Sequence, residues 1–252
     1  SLKMSKKRPF VLSIAGFDPS GGAGITADLK TFESHKVMGL GVCTAITYQN
    51  DSEFDGLVWQ TKEQIQKQLD PLLRKFKIED AKIGLIENLE ILNWVIKQLK
   101  DHNPKVKIIW DPILKASAGF TFHENLGKAD LENVCKQLFM ITPNWPEMEQ
   151  LSGLPASEGA EKFSKFCKVY LKGGHNEQQK GRDFLYQENK VQNFRPKQVS
   201  NFGKHGSGCV LSAALTALLA KDYPMQKACL EAKEYVSRFL KSNENLLGYH
   251  KF

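Results

Sequence analysis

The chain of 252 residues is long enough for one large α/β domain or two small ones. Hydrophobic residues make up 41% and charged residues 25%, and no apolar run approaches the roughly eighteen residues of a membrane span, so a soluble globular protein is expected. The net charge of +7 comes from lysines spread over many polar faces, which argues against the clustered basic and aromatic footprint of a nucleic-acid binder and leaves a mild pull on anionic ligands.

Residues 1–8, SLKMSKKR, are too short and polar for a secretory signal, and Ser1, Leu2 and Lys3 ahead of Met4 read as a remnant or tail. Cytoplasmic placement is expected. The five cysteines are odd in number and form no CxxC pair, so they read as reduced thiols and mostly as core filler. With no repeat, low-complexity stretch or long linker, residues 9–252 read as a single domain.

A first strand at FVLSIA (10–15) runs into a loop carrying Gly16, Gly21, Gly22 and Gly24, which permits tight turns and close approach to a ligand. It is not a phosphate-cradling Walker loop, because no Gly-Lys-Ser/Thr follows. Gly22 to Ala27 fits the GxGxxA dinucleotide pattern, so a dinucleotide-dependent oxidoreductase is a distant alternative; against it, FDPSG separates strand from motif, and TYQND puts Gln49 and Asn50 where that fold needs an acid. Asp18 reads most simply as a cap for its own turn, whereas Asp28, on the following helix, is a candidate to accept from a substrate amino group.

Strands follow at VCTAITY (42–48) and AKIGLI (81–86), and helices over 62–76 and 88–102, whose apolar residues recur at three and four positions. VKIIWD (106–111), FMIT (139–142) and KVYLKG (168–173) complete a strand and helix alternation typical of a parallel sheet covered on both faces. Asp111, Asn144, Glu147 and Lys172 sit at or beyond the carboxyl ends of these strands, where open α/β sheets bind ligands. Asn144 and Glu147 are candidates to hold hydrated magnesium, although taken alone they read better as a helix start with Pro146 in its first turn. Lys172 is placed to meet a phosphate.

GRDFLYQ and KVQNFRP read as a late hairpin, and two helical segments divided by KDYP run from Gly206 to about Leu240. Gly206, Ser207 and Gly208 lead into that helix through Cys209, offering free N–H groups to an anion. The same field is expected to favour a Cys209 thiolate that takes or orients the proton of an attacking hydroxyl. His205 reads as shaping the loop.

AGFDPSGGAGITADLKTF, AITYQN, KIGLI, WDPIL, TPNWPE, LKGGH and HGSGC stand in the order and approximate spacing of the hydroxymethylpyrimidine/phosphomethylpyrimidine kinases, which the chain resembles from residue 10 to about 240. The resemblance implies a ribokinase-like fold, a mainly parallel sheet between helices, and a homodimer. It implies transfer of phosphoryl from ATP, with magnesium, to 4-amino-5-hydroxymethyl-2-methylpyrimidine or its monophosphate in thiamine biosynthesis. The family's pyrimidine pocket maps onto Gly16, Ala23, Asp28, Gln49, Leu85 and Ile113, its nucleotide and metal groups onto Asp111, Asn144, Glu147 and Lys172, and its hydroxymethyl contact onto Cys209. Lys204 and Ser207 stand where the family usually carries threonine, Leu85 where methionine is frequent, and the stretch before LKGGH and the carboxyl end are shorter than usual. A pyridoxal kinase of the same superfamily is the nearest alternative. Some of those carry a second cysteine in the lid, and residues 112–128 have none, which favours the pyrimidine.

Overall fold

A computed structural model describes residue 4 and residues 6–114, 128–173, 180–195 and 203–250. Half of the expected tail over 1–8 is described, Ser1 to Lys3 and Ser5 lying outside the described residues, as do most of the lid stretch and Gly174 and His175 of LKGGH. The elements in order are β1 (Phe10–Phe17), α1 (Gly24–Ser34), β2 (Met38–Gln49), β3 (Phe54–Trp59), α2 (Lys62–Lys75), β4 (Asp80–Ile83), α3 (Leu89–His102), β5 (Lys107–Trp110), α4 (Lys128–Cys135), β6 (Met140–Ile141), α5 (Trp145–Ser152), α6 (Ala156–Phe163), β7 (Lys168–Leu171), β8 (Asp183–Gln187), β9 (Lys190–Phe194), α7 (Ser207–Ala220) and α8 (Met225–Lys241).

The strands form one sheet in the order β3-β2-β1-β4-β5-β6-β7-β8-β9. From β2 to β7 every neighbouring pair is parallel, and antiparallel strands finish both edges. The expected strands are all present, with AKIGLI and FMIT shortened to Asp80–Ile83 and Met140–Ile141. The hairpin of β8 and β9 turns at Glu188 and Asn189, both at positive φ (48° and 62°), the conformation that matches the twist of paired strands. Strand β3 is absent from the sequence reading. Asp55 and Gly56 interrupt its apolar pattern and it lies on an exposed edge, so neither alternation nor a long buried run marks it.

Alternate residues of the central strands feed opposite cores, as the two-residue repeat of a strand requires. Leu12, Ile108 and Val169 pack with the apolar stripes of α2 and α3 (Ile65, Leu69, Leu92, Val95, Ile96, Leu99) and with α4, α5 and α6. Ile109, Met140 and Tyr170 pack on the other face against α7 and α8. Local chemistry sets the helix starts: Thr61 and Gln64 cap α2 reciprocally at 3.1 and 2.9 Å, and Asn88 accepts from the Ile91 N–H at 2.9 Å to open α3. Helix α7 differs, being buried along Cys209–Leu219, as a helix enclosed between sheet and a second helix must be.

Parallel strands all point the same way, so the carboxyl ends of β1, β4, β5, β6 and β7 open onto one edge of the sheet. That edge gathers the Gly-rich loop, Leu85, Asp111, Asn144 and Lys172 beside the N-terminus of α7.

Candidate functional site

Two glycine turns build the floor of a cleft. Gly24 (φ 64°) and Gly206 (φ 79°) adopt left-handed backbone, and a Cβ at either would collide with the carbonyl oxygen of Gly16 or Gly22. The close approach of the two loops therefore demands glycine. Asp18 organises the first turn: its Oδ1 accepts from the Ser20 N–H (2.9 Å) and hydroxyl (2.8 Å), and its Oδ2 from the Ala23 N–H (3.0 Å). Nε2 of His205 lies 2.7 Å from the same Oδ2, and the Leu246 carbonyl accepts from the His205 N–H at 2.9 Å. Burial alone would raise the Asp18 carboxyl, but the hydrogen bonds from His205 and Ser20 outweigh it and hold it below the ordinary range.

Gly206 brings no side-chain cap to α7, so the N–H groups of Ser207, Gly208 and Cys209 head the helix at its positive end. Lys172 stands over them: a Cβ on Gly208 would lie 3.0 Å from its Nζ. Its ammonium is 3.2 Å from Oδ1 of Asp111, whose Oδ2 accepts from the Ser212 hydroxyl at 2.9 Å. Burial opposes the charge on Lys172, yet Asp111 and Glu147 more than offset this and hold it above its ordinary range.

Asn144 and Glu147 do form a reciprocal cap for α5, each side chain accepting from the other's backbone N–H at 2.8 Å. Both also face the cleft. Burial pushes the Glu147 carboxyl up to about 7, with the nearby charge of Lys172 pulling against it.

The cleft has a volume of about 460 Å³, within the range of roughly 300–1,000 Å³ usual for small-ligand sites. Gly16, Ala23, Gln49, Leu85 and Ile113 line it together with Asp111, Asn144, Glu147, Lys172, Gly206, Ser207, Gly208 and Cys209. Gln49 is oriented by donating from Nε2 to the Thr47 hydroxyl at 2.7 Å.

Two expectations need correction. Asp28 does not reach the cleft: fully buried, it accepts from Lys82 Nζ at 2.5 Å and from the Ser13 hydroxyl at 2.6 Å. The helix after the Gly-rich loop turns this residue towards the sheet. Cys209 does line the cleft, but it is no thiolate at neutral pH. Burial pushes its thiol up to about 11, outweighing the charge of Lys82, because desolvating an anion costs more than the partial charge of a helix end returns.

Sequence reasoning missed other parts of the wall. Asp183, Lys204, Lys233, Val236 and Leu240 also line it, with Asp183 accepting from Tyr170 and from the Gly173 N–H and pairing with Lys233 at 3.0 Å. Asp183 lies within an ordinary hairpin strand and Lys233 on an amphipathic helix, so neither carries a local signal.

A sequence model of the family described as phosphomethylpyrimidine kinase matches residues 18–251. The hydroxymethylpyrimidine/phosphomethylpyrimidine kinase of Staphylococcus aureus strain MRSA252 is 32% identical over 243 residues, covering 92% of this chain and 87% of its own. Among solved structures, the phosphomethylpyrimidine kinase of Clostridium difficile 630 superposes with a TM-score of 0.77 at 30% identity, covering 92% of this chain and 99% of its own. The pyridoxal kinase of Staphylococcus aureus in complex with ADP superposes with a TM-score of 0.83 at 25% identity, covering 97% and 94%. The fold is ribokinase-like.

Proposed function

The chain belongs to the phosphomethylpyrimidine kinase family, and from that premise we propose how its cleft works. It is a phosphotransferase that uses ATP and acts on hydroxymethylpyrimidine or its monophosphate in thiamine biosynthesis. The observation that carries the reading is the convergence of an uncapped helix N-terminus and the Lys172 ammonium at one point in a cleft that Gln49, Ala23, Leu85 and Ile113 also line. The first pair suits a phosphoryl group and the second a small polar ring.

The pyrimidine lies against Gln49, whose amide exchanges hydrogen bonds with ring nitrogen and amino group. The hydroxymethyl oxygen, or the monophosphate oxygen in the second step, attacks the γ-phosphorus in line. Its new O–P bond forms as the bond to the bridging β,γ oxygen breaks, releasing ADP, and the proton of the attacking hydroxyl passes to an oxygen of the transferring phosphoryl group. The N–H groups of Ser207, Gly208 and Cys209 and the ammonium of Lys172 stabilise the charge on the transferring group. Cys209, being a neutral thiol, orients the attacking hydroxyl by hydrogen bonding rather than removing its proton as a base. Such a loose transition state asks mainly for positioning.

Magnesium fits the residues present. No three His, Cys, Asp or Glu side chains converge as a metal cage among the described residues, but Asp111 and Glu147 supply two carboxylates beside Lys172, which suits an ion held mainly by phosphate and water. A Glu147 carboxyl raised by burial also gains from a nearby cation. Bound there with the nucleotide, magnesium would offset charge on the phosphates.

Residues 9–252 act as one kinase domain, a reading supported by a single sheet running from Phe10 to Phe194. A homodimer through the β2 and β3 edge is supported by exposed Ile46, Tyr48 and Val58. Cytoplasmic placement accords with the absence, among the described residues, of any helix long and apolar enough to cross a membrane. Pyridoxal is the second substrate to test, because pyridoxal kinases superpose as well and it too presents a hydroxymethyl group on a six-membered nitrogen ring. A coupled ADP-release assay offering the pyrimidine alcohol, its monophosphate and pyridoxal side by side decides: faster turnover of either pyrimidine supports the reading, and faster turnover of pyridoxal overturns it.

A further inference from the structure

We infer that the buried Lys82 and Asp28 pair is a positioning device that sets the first turn of α7, and with it the phosphoryl-binding amides, against the sheet. Lys82 projects from β4 and Asp28 from α1, and at 1% and 0% exposure neither touches solvent or the cleft. Lys82 Nζ donates to Asp28 Oδ1 at 2.5 Å and to the backbone carbonyl of Cys209 at 3.1 Å. Ser13 on β1 orients the carboxylate from its other oxygen at 2.6 Å. Burial works against the charge on Lys82, yet the neighbouring Asp28 carboxylate outweighs it and keeps the ammonium charged.

A buried ion pair is a weak means of stabilising a fold, because desolvation consumes most of the Coulomb gain; its best-attested use is to fix register. Helix α7 needs such a device. Apart from Ser212 and Thr216, its buried residues from Cys209 to Leu219 are apolar, and apolar contacts alone tolerate small rotations and slides. Among the described residues, the polar ties from the sheet to its first turns are Lys82 to the Cys209 carbonyl and Asp111 to Ser212. One tie reaches the helix from β4 and the other from the end of β5, so together they define both the rotation and the height of the amides of residues 207–209. A displacement of about 1 Å there is enough to cost on the order of 100-fold in rate.

The inference rests on the kinase reading, so wild-type turnover of a pyrimidine is established first; its absence counts against that reading alone. Lys82→Met leaves an unpaired buried carboxylate and is unsuitable by itself. The double variant Lys82→Met/Asp28→Leu replaces the pair by apolar groups, and Ser13→Ala, measured beside it, frees the carboxylate while keeping both charges. The double variant is expected to unfold within a few degrees of wild type, with kcat down about 100-fold and KM for the pyrimidine and for ATP changed less than threefold. Ser13→Ala is expected to lower kcat about fivefold with the same KM pattern. Wild-type kcat in a folded double variant, or in Ser13→Ala, makes the pair purely structural and overturns the inference. A rise in pyrimidine KM matching the fall in kcat also overturns it, since it returns Asp28 to the substrate.

Discussion

Asp18 and His205, 187 residues apart in sequence, meet at 2.7 Å at the floor of the cleft. The contact ties the Gly-rich loop after β1 to the turn before α7, and the Leu246 carbonyl holds His205 from the third side. The two glycine loops are thereby set as one unit.

Asp18→Ala leaves His205 and the N–H groups of Ser20 and Ala23 without their acceptor. Removing an acceptor from several buried donors costs on the order of 3 kcal/mol, and a loss of that size is expected in urea unfolding at neutral pH. Because the Asp18 carboxyl is held below its ordinary range, its contribution is complete above about pH 4 and disappears as pH falls through the lowered value. A variant within about 0.5 kcal/mol of wild type contradicts the tie.

Cys209 carries a thiol pushed up to about 11, so its reaction with iodoacetamide should be slow at pH 7 and rise steadily past pH 9. Cys209→Ser keeps a hydrogen-bonding group at the same place and is expected to retain kcat within tenfold, whereas Cys209→Ala falls further while ATP binding stays near wild type. Fast alkylation at pH 7 would restore the thiolate that burial excludes.

Gln49 is a polar side chain of the cleft lining, proposed above to contact the pyrimidine. Gln49→Leu removes hydrogen bonds to the ring and should raise KM for the pyrimidine roughly tenfold, equivalent to about 1.4 kcal/mol, with KM for ATP unchanged. Altered ATP affinity alone would place Gln49 on the wrong side of the phosphoryl group.

Glu147 titrates near 7 in the folded chain instead of 4.5. The folded state therefore holds a proton that the unfolded chain has released, and the associated stability, about 3 kcal/mol, is complete below pH 4.5 and lost as pH rises through 7. Glu147→Gln abolishes the titration, so wild type should lose Tm relative to this variant between pH 5 and 8. Parallel Tm curves over that window refute the assignment.

Much of this was legible in the sequence. The parallel sheet follows from buried apolar runs alternating with helices, and the glycines before α7 mark a helix start whose backbone N–H groups lack a side-chain cap. Local reading weighed Asn144 and Glu147 as a cap against a ligand site, and the geometry allows both at once. It went wrong where burial decides. Asp28 and Cys209 both follow glycine turns closely, but whether a carboxylate faces cleft or core, and whether a cleft thiol is desolvated, depend on elements packing from elsewhere.

Local patterning thus determined which segments become strands and helices, and where the glycines let two loops approach, because hydrophobic period and backbone sterics act within a few residues. Only the tertiary structure decided which charges are desolvated and with whom they pair: Lys82 with Asp28, Lys172 with Asp111, Lys233 with Asp183. These partners come from distant segments, and the free energy of a buried charge depends on everything around it in space.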